Sequence, residues 1–125
     1  MNLGPTQERF EGVATLAQEV CRAMVDVVDQ LGFAPGSVSI PDPAAARYRL
    51  GRDPASGEHS LMGEWRDGRG QKQGSLVFHT DGSFFVEYDV VRAHPKDPRW
   101  FVEAVNAWGR DPEIRAEARL LPALT

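Results

Sequence analysis

The sequence predicts an α+β fold in which a long N-terminal helix and two C-terminal helices pack on one face of a four-stranded antiparallel meander. Three observations predict it: an apolar stripe with helical spacing over residues 6–31, alternation with period two over residues 46–91, and two later Asp-Pro steps that precede apolar residues spaced three and four apart. The chain has 125 residues, the size of one domain, so we expect a single domain over 1–125.

The first element is a helix from about Thr6 to Leu31 with one continuous apolar stripe. Thr6 suits the N-cap, and Gly32 suits the left-handed position that ends many helices. At 1.5 Å per residue such a helix measures ~39 Å, against a diameter of roughly 35 Å for a compact domain of this size. We therefore expect the helix to project and the stripe near Phe10 to need a partner. The stripe consists of Phe10, Val13, Leu16, Val20, Met24, Val27, Val28 and Leu31.

Four strands follow a proline-rich connector over residues 34–45. We place them at about 46–50, 59–66, 73–79 and 83–91, where apolar and polar residues alternate. In the last hairpin, a three-residue loop ending at Gly82 pairs Phe78 with Phe84 and separates apolar from polar side chains. A two-residue loop would mix them. We therefore expect a bulged hairpin with Gly82 in the left-handed conformation.

Two helices are predicted to close the chain. Asp97-Pro98 and Asp111-Pro112 each offer an N-cap followed by a proline in the first helical position. The apolar positions behind them have helical spacing. They are Phe101, Ala104, Val105 and Trp108 in the first segment, and Ile114, Ala118 and Leu121 in the second.

Composition and charge limit the classes of partner. Fourteen basic against 18 acidic residues give a net charge of −4, which argues against a nucleic-acid binder. No apolar run is long enough to span a membrane, the N-terminus lacks the features of a signal peptide, and a lone cysteine forms no internal disulfide. We therefore expect a cytoplasmic protein without membrane or nucleic-acid partners. Residues 47–72 carry a local excess of six basic over four acidic residues, which suits either an anion-binding patch or, as the favoured reading, a solvated sheet edge.

The face of the sheet turned away from the helices is the predicted site. An apolar centre surrounded by charge is typical of a protein interface, and Phe85 lies near that centre. With the exposed end of the helix stripe, the predicted protein-binding residues are Phe10, Met62, Glu64, Arg66, Val77, His79, Phe85, Glu87 and Asp89.

An enzyme is the less favoured interpretation of the same face. His79 with Glu64, Glu87 and Asp89 would supply a general acid and base or ligands for a divalent metal. No metal motif or activated nucleophile accompanies them, and an ordinary solvated face with cross-strand ion pairs is favoured over this chemistry. Cys21 lies between apolar helix positions and reads as a small core residue. We therefore expect no catalytic residue, metal or cofactor.

The run from Gly74 to Asp89, with its Asp81-Gly82 turn and a predicted Trp-bearing helix behind it, resembles the final hairpin of YezG-like bacterial immunity proteins. That resemblance implies a small acidic α+β protein that binds and neutralises a toxin. The acidic composition and long first helix are also similar to those of bacterial secretion chaperones, which dimerise and bind effectors. We expect a small bacterial-type, non-enzymatic protein-binding module that acts as a homodimer. A toxin-neutralising immunity protein and a secretion-chaperone-like protein are the alternatives.

Overall fold

The computed structural model describes residues 4–52, 54, 55 and 57–124, which form a long helix, a short 3-10 helix and a six-stranded antiparallel sheet. Each strand pairs with its neighbour in the chain, so the order across the sheet is β1-β2-β3-β4-β5-β6. The elements are α1 (Pro5–Leu31), a 3-10 helix (Pro43–Ala45), β1 (Arg47–Arg52), β2 (His59–Arg66), β3 (Lys72–Phe78), β4 (Ser83–Ala93), β5 (Trp100–Arg110) and β6 (Glu113–Pro122).

The predicted long helix is confirmed. Its N-cap is Gly4 rather than Thr6, and no side chain in the described part of the chain forms a capping hydrogen bond at this end. At the other end Gly32 is left-handed, with φ of 95°, and its N–H donates to the Asp29 carbonyl at 3.1 Å. The stripe covers the core face of the sheet. The buried residues of α1 are Leu16, Ala17, Val20, Cys21, Met24 and Val28.

The four predicted strands correspond to β1–β4, and the bulged hairpin between β3 and β4 is confirmed. Phe78 pairs with Phe84 and Val77 with Phe85. The His79 N–H donates to the Ser83 carbonyl at 2.9 Å, and Gly82 has φ of 90°. The separation of apolar from polar side chains therefore identified the register.

The prediction of a four-stranded sheet with two C-terminal helices is wrong, because both segments are strands. β5 lies between β4 and β6 and is buried on both faces over much of its length. A strand buried on both sides shows no alternation of apolar and polar residues, so its apolar spacing imitated a helix. The two Asp-Pro steps are turn signals instead: one lies in the β4–β5 connection, and Asp111-Pro112 is a cis peptide in the β5–β6 turn.

β6 is an edge strand built from residues that favour helices in isolation. Its glutamates, arginines, alanines and leucines are all good helix formers. Pairing along the whole of β5 overrides that preference, and the exposure of β6 side chains alternates from Glu113 to Arg119. Ile114, Ala116 and Ala118 face the core cluster, while the charged residues between them are exposed.

The size of the core side chains sets the distance between helix and sheet. The helix comes closer to β1, β2, β5 and β6 than to the central strands β3 and β4. Small residues on β5 and β6, such as Ala107 and Ala116, allow this approach at one edge. In the middle, Trp65, Phe78 and Phe84 fill the space beneath the helix. The helix therefore covers one face of the sheet, and no helix or strand in the described chain packs on the other face.

Candidate functional site

The outer face, which we define as the side of the sheet opposite α1, carries an apolar row across four neighbouring strands. Met62 of β2 lies beside Val77 of β3, Val77 beside Phe85 of β4, and Phe85 beside Trp108 of β5. At the usual strand spacing of about 4.8 Å, this row is about 14 Å long. The Phe85 side chain is the most open of the four, with the residue 40% exposed. These four side chains do not contribute to the core, which lies on the other face of the sheet.

Charged residues surround the apolar row. Arg49 of β1 and Arg115 of β6 close its two ends, where they pair with Met62 and Trp108. A neighbouring row on the same face contains one charged or polar side chain from each of the six strands. These are Arg47, Glu64, Ser75, Glu87, Asn106 and Glu117.

Ion pairs hold part of this rim in place. The Arg66 guanidinium lies 2.7 Å from the Glu64 carboxylate. Arg119 bridges two strands, with Glu87 at 3.2 Å and Glu103 at 3.0 Å. All five side chains are partly exposed, so each pair contributes at most about 1 kcal/mol to stability. Their effect is to fix the direction of the side chains around the apolar row.

Asn106 is an unusual residue for this face because it is only 8% exposed. Its Oδ1 is buried and has no hydrogen-bond partner among the described residues. A buried acceptor without a partner costs roughly 1–3 kcal/mol. Asn106 lies between the acidic residues Glu87 and Glu117 on the neighbouring strands, so the outer face contains a polar group that the fold does not satisfy.

The structure places eight of the nine predicted binding residues around the outer face. Met62, Val77 and Phe85 belong to the apolar row, and Glu64 and Glu87 belong to the rim. Phe10 is elsewhere: its ring packs on Tyr48 of β1 with the centroids 4.8 Å apart. The apolar stripe of α1 therefore contacts β1 at the end where the helix was expected to project beyond the domain.

The carboxylates proposed for catalysis are distant from His79. Glu64 and Glu87 both pair with Ser75, which precedes His79 by four residues, or about 13 Å along a strand. The Nδ1 atom of His79 instead lies 2.6 Å from the Ser60 hydroxyl. Among the described residues, no group of three or more histidines, cysteines and acidic residues is placed to hold a metal ion. The geometry thus does not assemble the constellation that the sequence suggested.

Cys21 lies against the connector that precedes β1. It is 6% exposed, and burial, followed by the nearby Asp42 carboxylate, raises the pKa of the thiol to about 12. A thiol in this state is a poor nucleophile at neutral pH because it is almost entirely protonated. This agrees with its interpretation as a core residue.

The sequence reasoning missed the β5 and β6 part of the outer face. Trp108 was assigned to a helix, and Arg115 and Glu117 to another, so none of them was placed beside Phe85. Period-two alternation from Glu113 to Arg119 was the signal that could have identified β6. If β6 is recognised as a strand, the buried run in β5 can be assigned to a strand that lies inside the sheet next to β6.

Comparison with models of protein families, with curated proteins and with solved structures finds no match to this chain. The resemblance of residues 74–89 to YezG-like immunity proteins therefore stays a prediction, and its Trp-bearing helix is in fact strand β5. No helix in the described part of the chain has the combination of length and hydropathy needed to cross a membrane.

Proposed function

We propose that this chain is a non-enzymatic protein-binding module that acts in the cytoplasm as a homodimer and uses the outer face as its contact. The observation that carries the proposal is the apolar row of Met62, Val77, Phe85 and Trp108, surrounded by charge on a face that no helix or strand of the described chain covers. An apolar centre with a polar rim is the usual anatomy of a protein interface.

The outer face is large enough for a specific dimer. Six strands at about 4.8 Å span ~24 Å, and six residues along the strands span ~20 Å. The flat area is therefore about 500 Å² per copy, or about 1,000 Å² for two copies. Specific interfaces begin at about this total. A second copy of the same face would cover both apolar rows at once.

Phe85 is the residue on which such a contact depends most. The exposed 40% of the Phe85 surface corresponds to ~80 Å² of apolar area, which contributes about 2 kcal/mol per copy to the free energy of association when it is buried. Aspartate at this position removes that contribution and places a charge in the interface. We therefore expect Phe85→Asp to weaken dimerisation by at least about 30-fold.

The test is the oligomeric state by light scattering and sedimentation equilibrium across micromolar concentrations. Val25→Asp is the matched control, because Val25 is 39% exposed and lies on the helix at the opposite side of the domain. Circular dichroism should show that both variants keep the fold. A monomeric wild type at high micromolar concentration, or equal dissociation in both variants, would contradict the proposal.

A further inference from the structure

The edge strand β1 and the residues beside it form a basic surface next to the apolar row. β1 pairs with β2 on one side only, so its other side carries the unpaired backbone groups of a sheet edge. Arg47 and Arg49 both project from β1 on the outer face and are exposed. We call Arg47, Arg49 and Lys72 the basic edge.

The basic edge borders a cavity of about 450 Å³ on the outer face. Met62 and Val77 supply apolar surface there, and Ser75 supplies a hydroxyl. Cavities of this size accommodate ligand groups of several atoms. Its position next to β1 means that a chain lying along the edge would pass directly beside it.

Positive charge exceeds negative charge on this surface. Among the residues that the structure describes, no ion pair or side-chain hydrogen bond involves Arg47, Arg49 or Lys72. The acidic residue in the cavity, Glu64, is already paired with Arg66 at 2.7 Å. Three cationic side chains therefore line the cavity beside a single carboxylate that is already paired with another arginine, in a chain whose net charge is −4.

A second copy of this chain does not fit the edge. Neighbouring outer residues of β6, the other edge strand, alternate in sign, so in any register that places two of them beside Arg47 and Arg49, one arginine faces another. Pairing β1 with a second β1 also brings arginine against arginine. Like charges directly opposite each other destabilise paired strands. The outer residues of β6 are Glu113, Arg115, Glu117 and Arg119.

We propose that the basic edge binds an acidic, extended segment of another protein, which adds to β1 as a seventh strand. Side chains two positions apart in a strand point to the same face with the spacing that separates Arg47 from Arg49. An acidic residue at every second position would thus face both arginines, while the backbone satisfies the edge of β1. This inference rests on the proposed function in that the partner is a protein. The strand pairing uses the backbone edge of β1, whereas the cavity beside it belongs to the outer face that the proposed dimer also uses.

The test measures fluorescence anisotropy of labelled peptides with the full chain. The probe alternates glutamate with valine, and its matched control alternates lysine with valine. A third peptide carries N-methyl groups at alternate positions, which removes the backbone donors needed for strand pairing. We expect binding of the glutamate peptide alone, weakening as the salt concentration rises.

Two variants locate the binding. Arg49→Glu should lower the affinity for the glutamate peptide by at least about tenfold, because it reverses a charge at the basic edge. Arg115→Glu is the matched control at the opposite edge and should change the affinity by less than about twofold. Phe85→Asp, which removes the dimer contact and leaves the basic edge unchanged, should bind the peptide at least as tightly as the wild type does, so failure of the dimer and failure of this site are distinguishable.

Several outcomes would overturn the inference. Equal binding of the lysine peptide, equal effects of the two arginine variants, or no binding up to about 1 mM would each do so. Undiminished binding of the N-methylated peptide would refute strand addition. Tighter binding of single-stranded nucleic acid than of the glutamate peptide would show that the edge recognises phosphates instead.

Discussion

Gly74 lies where two aromatic side chains meet, so Gly74→Ala should destabilise the domain strongly. Gly74 of β3 pairs with Trp65 on one side and with Tyr88 on the other. The two rings contact each other edge to face, with centroids 6.1 Å apart and an angle of 82° between their planes. A Cβ atom at position 74 would overlap the backbone carbonyl oxygen of Glu87 and lie 3.0 Å from the Trp65 ring.

The expected cost of Gly74→Ala follows from these contacts. Neither the β4 backbone nor the Trp65 ring can move away freely, because Trp65 is 3% exposed and its indole N–H donates to the Asp42 carbonyl at 3.0 Å. Inserting a methyl group into such a site costs about 1–3 kcal/mol, and the aromatic contact contributes about 0.5–1.5 kcal/mol more. We therefore expect a loss of about 2–4 kcal/mol in the free energy of unfolding, or roughly 10 °C in Tm.

Urea denaturation, followed by tryptophan fluorescence and by circular dichroism, measures this loss. Gly12→Ala is the control, because Gly12 is exposed in the middle of α1 and a Cβ atom there meets nothing within 4 Å. It should stabilise the protein by about 0.5–1 kcal/mol. A Gly74→Ala variant within about 0.5 kcal/mol of the wild type would refute the packing argument.

Two further predictions concern titratable groups. Cys21, with its pKa raised to about 12 by burial, should react with a thiol reagent in the native protein orders of magnitude more slowly than in urea; fast native labelling would show that it is accessible. The pKa of Asp97 is lowered to about 2, chiefly by the hydrogen bond from the Arg99 side chain, so its stabilising effect is present above the ordinary value of 3.8 and is lost as the pH falls toward 2. Urea midpoints of the wild type and of Asp97→Asn should therefore converge over this interval, and a constant difference would contradict the assignment.

The part of the fold that the sequence predicts well is the part where burial is one-sided. α1 has one buried face, and β3 and β4 alternate cleanly, so Phe78 and Phe84 could be paired by side-chain pattern alone. β5 is different because Ala104, Val105, Asn106 and Ala107 are all buried, on both faces of the sheet. No local pattern distinguishes such a run from a helix, since its environment is created by strands distant in the sequence.

The same limit applies to the candidate site. Met62, Val77 and Phe85 come from strands that were placed correctly, so their shared face could be predicted. Trp108 extends that row only if β5 is a strand. The basic edge was visible as a local excess of charge, but only the topology shows that Arg47 and Arg49 belong to an unpaired strand. Charge can be counted from sequence, whereas a sheet edge has to be located in space.

The contact between α1 and β6 has a consequence for how the domain assembles. All strand pairs join neighbours in the chain, so each hairpin can form as soon as its two strands exist. The helix is the exception, because it packs closely on β5 and β6, about 100 residues further along. During synthesis the apolar stripe of α1 emerges before β5 and β6, and it stays exposed until these strands have formed. The stretch between Leu16 and Val28 should therefore be the segment of the nascent chain that a chaperone engages until the last hairpin leaves the ribosome.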